Sequence, residues 1–124
     1  IIKLNICNAK TKTLAQEISR KISNSLLVKT AMYGEDPNWG RIISSLGSIN
    51  KNALNVSKVK LFINKILCFD KGAPMDAGSK RLANSMKKNS IEITLDLNSG
   101  KEMQTIYFSD LSHEYVHINS AYTT

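Results

Sequence analysis

Two different apolar periods alternate along this chain, and their order limits the folds that it can adopt. Over residues 91–97 apolar and polar side chains alternate, which predicts a strand with one buried face. Over residues 13–25 apolar side chains recur at every fourth position, which predicts an amphipathic helix. Thr13 and Gln16 match a capping box at the start of that helix. The chain must therefore combine strands with helices.

The remaining segments are assigned from the same two periods. Strands are predicted at 1–7, 58–63, 65–69, 103–109 and 115–119, helices at 37–46 and after an Asp76 cap, an extended run at 26–33 and a turn at 70–74. The order β-α-α-β-β-α-β-β-β predicts an α+β fold, in which helices pack on one face of a mostly antiparallel or mixed sheet. We expect a single domain over residues 1–124, long enough to bury about two-thirds of its unfolded surface.

The net charge and the apolar pattern limit which classes of partner we expect for this chain. The formal net charge is +7, a balance that serves nucleic acid or acidic small molecules in other proteins. Here the basic residues are spread over predicted solvent faces, and no RNA-binding signature with interleaved aromatic residues occurs, so we expect no nucleic-acid partner. No apolar run approaches the roughly 18–20 residues of a membrane span, and the chain opens on a strand pattern rather than a signal peptide.

Cys7 and Cys68 each lie in an apolar, strand-like run outside any metal-ligand spacing. Free thiols in a reduced, cytoplasmic protein are the favoured interpretation. A disulfide stays open if the two strands are neighbours. Neither cysteine has the electropositive neighbours that a nucleophile needs.

Residues 34–41, of sequence GEDPNWGR, hold more polar chemistry than any other segment. Helix-capping preferences explain two of these residues, because Asp36 is a good helix N-cap and Pro37 suits the first helical position. They do not explain why Glu35, Asn38 and Arg41 gather at the same helix start. Two hypotheses remain, a plain helix start and a substrate-binding turn placed at a helix start.

Other candidate sites are weaker. His113 and His117 are four residues apart, but their segment has a strand pattern and lacks a suitably placed Glu, so no metal site is predicted. The C-terminal residues 117–124 form a compact set of donors and acceptors. Tyr122 argues that this end packs against the protein instead of fraying.

Two segments of the chain resemble the ornithine acetyltransferase family, the glutamate N-acetyltransferases of arginine biosynthesis. Residues 25–42, SLLVKTAMYGEDPNWGRI, are similar to the hallmark segment of that family, and residues 110–124, DLSHEYVHINSAYTT, are similar to its C-terminus. Residues 48–108 match only in pattern and length. Leu26 departs from the family pattern, since a proline is common there. The resemblance implies a C-terminal piece of the larger α/β/β/α sandwich of the family.

The resemblance also implies an acyl-transfer mechanism. Family members cut themselves into an α and a β chain, and a threonine exposed at the start of the β chain carries acetyl from N2-acetylornithine to glutamate. The expected cleavage junction is absent here, so the nucleophile lies in polypeptide outside this sequence. No catalytic residue is therefore expected in this chain, and we expect it to be inactive when isolated. No cofactor is implied, although some members also use acetyl-coenzyme A as a substrate.

Three residues are implied as substrate-binding, namely Glu35, Asn119 and Thr124. Glu35 can pair with a substrate ammonium, Asn119 can both donate and accept, and Thr124 offers a hydroxyl or its terminal carboxylate. The implied partners are N-acetylornithine, ornithine, glutamate, the α chain and the N-terminal segment of the β chain, in a hetero-oligomer. Two alternatives stay open, a non-catalytic basic α+β binding module and a family member that acts on another acylated amine.

Overall fold

The computed structural model describes residues 1–25, 40–50, 52–75, 79–87 and 90–109. Within these ranges six strands form one sheet: β1 (Ile2–Ala9), β2 (Lys60–Ile63), β3 (Ile66–Asp70), β4 (Ala73–Pro74), β5 (Ile91–Asp96) and β6 (Glu102–Phe108). The helices in these ranges are α1 (Lys12–Asn24), α2 (Gly40–Ser44), α3 (Ser79–Ser85) and a 3-10 turn (Val56–Lys58). None of these helices is long and apolar enough to cross a membrane.

The sheet is mixed, as predicted, with strand order β4-β3-β2-β5-β1-β6. β1 and β5 pair in parallel at its centre. The other neighbours, β1 with β6, β2 with β3, β2 with β5 and β3 with β4, are antiparallel. The central parallel pair therefore fixes which residues of β1 and β5 lie side by side.

One face of the sheet, here called the core face, carries the hydrophobic core. The register places three residues of β1 beside three of β5, and all six are buried: Ile2, Leu4, Ile6, Ile91, Ile93 and Leu95. Ile18 of α1, Ile42 of α2 and Leu82 of α3 belong to the same core cluster. The helices therefore pack on one face of the sheet, which confirms the predicted layering.

The start of α1 differs from the prediction. Thr11, not Thr13, is the N-cap, because Thr11 is extended and its hydroxyl accepts a hydrogen bond from the Leu14 backbone N–H at 3.1 Å. Thr13 and Gln16 both lie within the exposed part of the helix, so the predicted capping box is wrong. Because β1 ends at Ala9, the helix can begin one residue earlier than its apolar pattern suggested, with its N-cap two residues before Thr13.

Two other boundaries also moved. The second helix ends at Ser44 instead of residue 46, and the Leu46 and Gly47 N–H groups bond three residues back, as in a tightening final turn. The turn predicted at 70–74 is shorter, since Ala73 and Pro74 pair with β3 as strand β4. The extended run at 26–33, the Asp76 cap and the strand at 115–119 lie outside the described residues.

Candidate functional site

The three predicted substrate-binding residues lie outside the residues that the structure describes. Glu35 falls in the range 26–39, and Asn119 and Thr124 fall in the range 110–124. Their roles therefore stay predictions. The described structure instead defines the elements that flank both segments.

The GEDPNWGR segment leads directly into an anchored helix. Its last two residues, Gly40 and Arg41, open α2, and Ile42 in the next position is completely buried. The Arg41 carbonyl accepts hydrogen bonds from the Ser45 N–H at 3.2 Å and from the Ser44 hydroxyl at 3.1 Å. The burial of Ile42 therefore ties the end of the motif to the core.

The elements that come before the two predicted segments are also anchored to the core. α1 ends at Asn24, and the Ser25 N–H bonds to the Ile22 carbonyl at 3.2 Å, with Ile22 fully buried. Before the C-terminal segment, β6 ends at Phe108, which aligns with Ile2 of β1 and packs against the core. Both predicted binding segments therefore leave from ordered core elements.

The face of the sheet opposite the core, here called the polar face, carries side chains that bond to one another. It is formed by the alternate residues of β1, β5 and β6: Lys3, Asn5, Cys7, Glu92, Thr94, Asp96, Thr105 and Tyr107. Asn5 lies at its centre. Its amide nitrogen donates to Glu92 Oε2 at 3.4 Å and to Thr94 Oγ1 at 3.3 Å, and its oxygen accepts from the Thr105 hydroxyl at 3.0 Å.

A row of charged and aromatic side chains crosses one end of the polar face. Lys3 aligns with Glu92 on one side and with Tyr107 on the other. Lys3 Nζ lies 3.7 Å from Glu92 Oε2, and both side chains are partly exposed. A depression of about 310 Å³ lies at this row, lined by Ile1, Lys3, Asn64, Ser90, Ile91, Glu92 and Tyr107. We call it the Lys3–Glu92 depression.

Asn64 closes the β2–β3 side of this depression and ties three elements together. Its backbone N–H donates to the Glu92 carbonyl at 2.7 Å, and its side-chain oxygen accepts from the Glu92 N–H at 2.9 Å. Its amide nitrogen donates to the carbonyl and the hydroxyl of Ser85 at 3.2 and 3.1 Å. Positive φ values of 51° at Asn64 and 67° at Lys65 give the backbone of a two-residue hairpin loop.

Sequence reasoning missed this cluster because it considered the strands at 1–7 and 91–97 separately. The alternation itself was visible, but the strand register that brings the positions together was not. A signal was nevertheless available, since residues 91–97 carry Glu92, Thr94 and Asp96 in a single row. Only the pairing of β5 with β1 shows that this row meets Lys3 and Asn5.

Both cysteines are free thiols, and they cannot pair with each other. β1 and β3 are separated by β5 and β2, so the disulfide left open above is wrong for this fold. Burial raises the pKa of Cys7, and the nearby Asp96 carboxylate raises it further. Burial also raises the pKa of Cys68, against a smaller lowering by a backbone hydrogen bond at Ile63. Neither thiol is thus poised as a nucleophile at neutral pH.

No group of three or more His, Cys, Asp or Glu side chains in the described ranges is arranged to hold a metal ion. His113 and His117 belong to the undescribed range 110–124.

Comparison with known proteins gives matches over the whole chain. The model of the ArgJ family matches residues 1–124. A relative from Aquifex aeolicus (strain VF5), named arginine biosynthesis bifunctional protein ArgJ, is 38% identical over 125 residues, which cover 100% of this chain and 32% of the relative. A protein of the same name from Lactococcus lactis subsp. lactis (strain IL1403) is 38% identical over 124 residues, 100% of this chain and 31% of that protein.

A solved structure gives the same result for the fold. The crystal structure of arginine biosynthesis bifunctional protein argJ from Bacillus halodurans superposes with a TM-score of 0.84 at 28% sequence identity, covering 98% of this chain and 57% of that one. The chain spans about a third of the length of the curated relatives it matches, and it corresponds to a C-terminal part of them.

Proposed function

Because this chain belongs to the ArgJ family, we propose that it is the C-terminal, substrate-binding part of a glutamate N-acetyltransferase of arginine biosynthesis. The observation that carries the proposal is the match of the family over residues 1–124, which includes both the GEDPNWGR segment and the C-terminal segment. Relatives that match over this full length are named for arginine biosynthesis.

The proposed reaction is acetyl transfer in two steps through an acyl-threonine. The threonine hydroxyl attacks the acetyl carbonyl of N2-acetylornithine, the C–N bond breaks, and ornithine leaves with the proton on its amine. The glutamate amine then attacks the ester, and the threonine hydroxyl regains its proton as N-acetylglutamate leaves. We place the threonine in polypeptide outside this sequence. We also propose acetyl-coenzyme A as a second acetyl donor.

Within this chain, Glu35, Asn119 and Thr124 are the proposed substrate-binding residues. Glu35 would pair with an ammonium of ornithine or glutamate, since charge-assisted hydrogen bonds are the stronger ones. Asn119 would bond to the amino-acid headgroup, and Thr124 would offer its hydroxyl or terminal carboxylate. The burial of Ile42 fixes the helix that follows the motif.

The proposal extends to the assembly and its location. Residues 1–124 form a single domain that completes its site with an α chain and the N-terminal segment of a β chain, in a cytoplasmic hetero-oligomer. A hydrophobic cluster that unites α1, α2, α3 and the sheet within the described residues supports one domain. A nucleic-acid-binding role is disfavoured on the polar face, where Glu92 lies beside Lys3 and Asp96 lies beside Lys60, so that each carboxylate offsets a basic charge.

The test is a kinetic comparison in a chimera that joins the preceding part of the Aquifex aeolicus relative to Ile1 of this chain. Glu35→Gln keeps the shape and removes the charge, so we expect KM for N-acetylornithine or glutamate to rise about tenfold or more. Glu17→Gln, on the half-buried side of α1, is the matched control and should leave KM unchanged. Equal kinetics in the two variants would contradict the assignment of Glu35.

A substrate panel on the same chimera separates the remaining alternative. We expect N-acetylornithine to be the preferred donor. Transfer from other acylated amines, with none from N-acetylornithine, would instead identify a family member with a different substrate.

A further inference from the structure

We propose that the Lys3–Glu92 depression is a second binding site, which takes the zwitterionic head of a free α-amino acid. Its residues are none of the three assigned to acetyl transfer. It presents one cation, one anion and one aromatic side chain around a space of about 310 Å³. That volume lies near the small end of ligand pockets and suits an amino acid better than a cofactor.

The sheet register places the two charges as an amino acid requires. β1 and β5 are adjacent parallel strands with Lys3 opposite Glu92, so the two side chains leave the same face about 4.8 Å apart. An α-amino acid carries its ammonium and carboxylate on a single carbon. Its carboxylate can therefore meet the Lys3 ammonium while its ammonium meets the Glu92 carboxylate.

The existing contact between the two residues leaves room for a ligand. Lys3 Nζ and Glu92 Oε2 are 3.7 Å apart, well beyond the 2.7–2.9 Å typical of a charge-assisted hydrogen bond. The side chains are 42% and 32% exposed, so water screens the pair and weakens it. A ligand that offers each charge a closer partner replaces a weak contact with two stronger ones.

Glu92 is held in place for this role. Asn5 donates to its carboxylate at 3.4 Å from within the polar face, and Asn64 holds its backbone on both sides. A carboxylate that is already positioned loses less freedom when it binds. The amide nitrogen and oxygen of Asn64 are already bonded to Ser85 and Glu92, so Asn64 lines the depression without contributing a bond to the ligand. Tyr107, 65% exposed, supplies an aromatic wall for the ligand side chain.

The test follows backbone NMR shifts of the 124-residue chain during titration with L-norvaline, whose side chain is uncharged. Pentanoate lacks its ammonium, and butylamine lacks its carboxylate. We expect saturable shifts at residues 3, 92 and 107 with norvaline and much weaker ones with either analogue. Lys3→Met and Glu92→Gln should each weaken binding about tenfold or more.

A control variant and the chimera test whether norvaline binds at the depression specifically. Lys60→Met is the matched control, because Lys60 pairs with Asp96 at the other end of the sheet and does not line the depression; it should bind normally. The shifts at residues 3, 92 and 107 do not depend on acetyl transfer, so failure of the proposed acetyl transfer would not affect this result. Binding that persists in Lys3→Met, or that vanishes when Ile1 is joined to preceding polypeptide in the chimera, would overturn the proposal.

Discussion

The core face and the polar face are built from alternate residues of the same strands, yet they contribute differently. On β1, Leu4 is completely buried, and its neighbour Asn5 is half-buried and bonded to Glu92, Thr94 and Thr105. Apolar burial stabilises the fold strongly, whereas a partly exposed hydrogen bond contributes little net free energy. The comparison teaches that stability resides on one face, and that the other face is free to carry recognition chemistry.

The largest change in stability is expected from a comparison of two adjacent residues of β1. Leu4→Ala should lower the free energy of unfolding by about 2–5 kcal/mol, because it leaves a cavity in the core. Asn5→Ala should cost only about 1 kcal/mol. Chemical denaturation measures both. Equal losses would break the distinction between the two faces.

A second test acts on the turn that aligns β6 with β1. A Cβ added at Gly100 would collide with the carbonyl oxygen of Ala9, so the backbone must shift. Gly100→Ala should therefore cost about 1–3 kcal/mol and disturb the contact of Thr105 with Asn5. Gly47→Ala, where the nearest atom is the Ser44 carbonyl oxygen at 3.3 Å, is the comparison and should cost less than Gly100→Ala. A larger loss at Gly47 than at Gly100 would contradict this reasoning.

A third test concerns Asn64, whose side chain connects Glu92 of β5 to Ser85 of α3 at one end of the sheet. Asn64→Gly keeps the positive φ of 51° but removes the side-chain bonds to Glu92 and Ser85, at a cost of about 1–3 kcal/mol. Lys65→Gly, at φ 67°, removes no side-chain hydrogen bond within the described part of the chain and should be neutral or slightly stabilising. Thermal unfolding separates the two. Similar melting temperatures of the two variants would show that the Asn64 side chain does not stabilise the fold.

The smallest effect is expected from Cys7 on the polar face. Its pKa is raised in the folded protein from an ordinary value of 9.0, so the unfolded chain loses this proton first as the pH rises. The thiol therefore contributes stability that is fully present below pH 9.0 and is lost as the pH rises through the folded pKa. Cys7→Ala should show a shallower loss of stability above pH 9.0 than the unmodified chain. Parallel pH curves for the two proteins would exclude this contribution.

The strands and helices followed from sequence where a single period ran long enough. Residues 91–97 and 13–25 gave β5 and α1 to within one residue at each end. The capping box at Thr13 failed because the helix start depends on where β1 ends, which is set by pairing with β5 and β6. Local pattern cannot supply that information.

The polar face could not be predicted for a related reason. Asn5 and Glu92 are 87 residues apart in the sequence, and only the register of two paired strands brings them together. Composition gave the residue types, and periodicity gave the face on which each lies. The assignments of Glu35, Asn119 and Thr124 rest on family resemblance and remain predictions, because both of their segments lie outside the described residues.

The most direct test of the account is an assay of acetyl transfer from N-acetylornithine to glutamate with and without preceding polypeptide. The 124-residue chain alone should show no transfer, because we propose that the nucleophilic threonine lies in the preceding polypeptide. The chimera with the preceding part of the Aquifex aeolicus relative should produce N-acetylglutamate and ornithine in equal amounts. Transfer by the isolated chain, or none by a folded and cleaved chimera, would contradict the claim that this chain is the substrate-binding part of the enzyme.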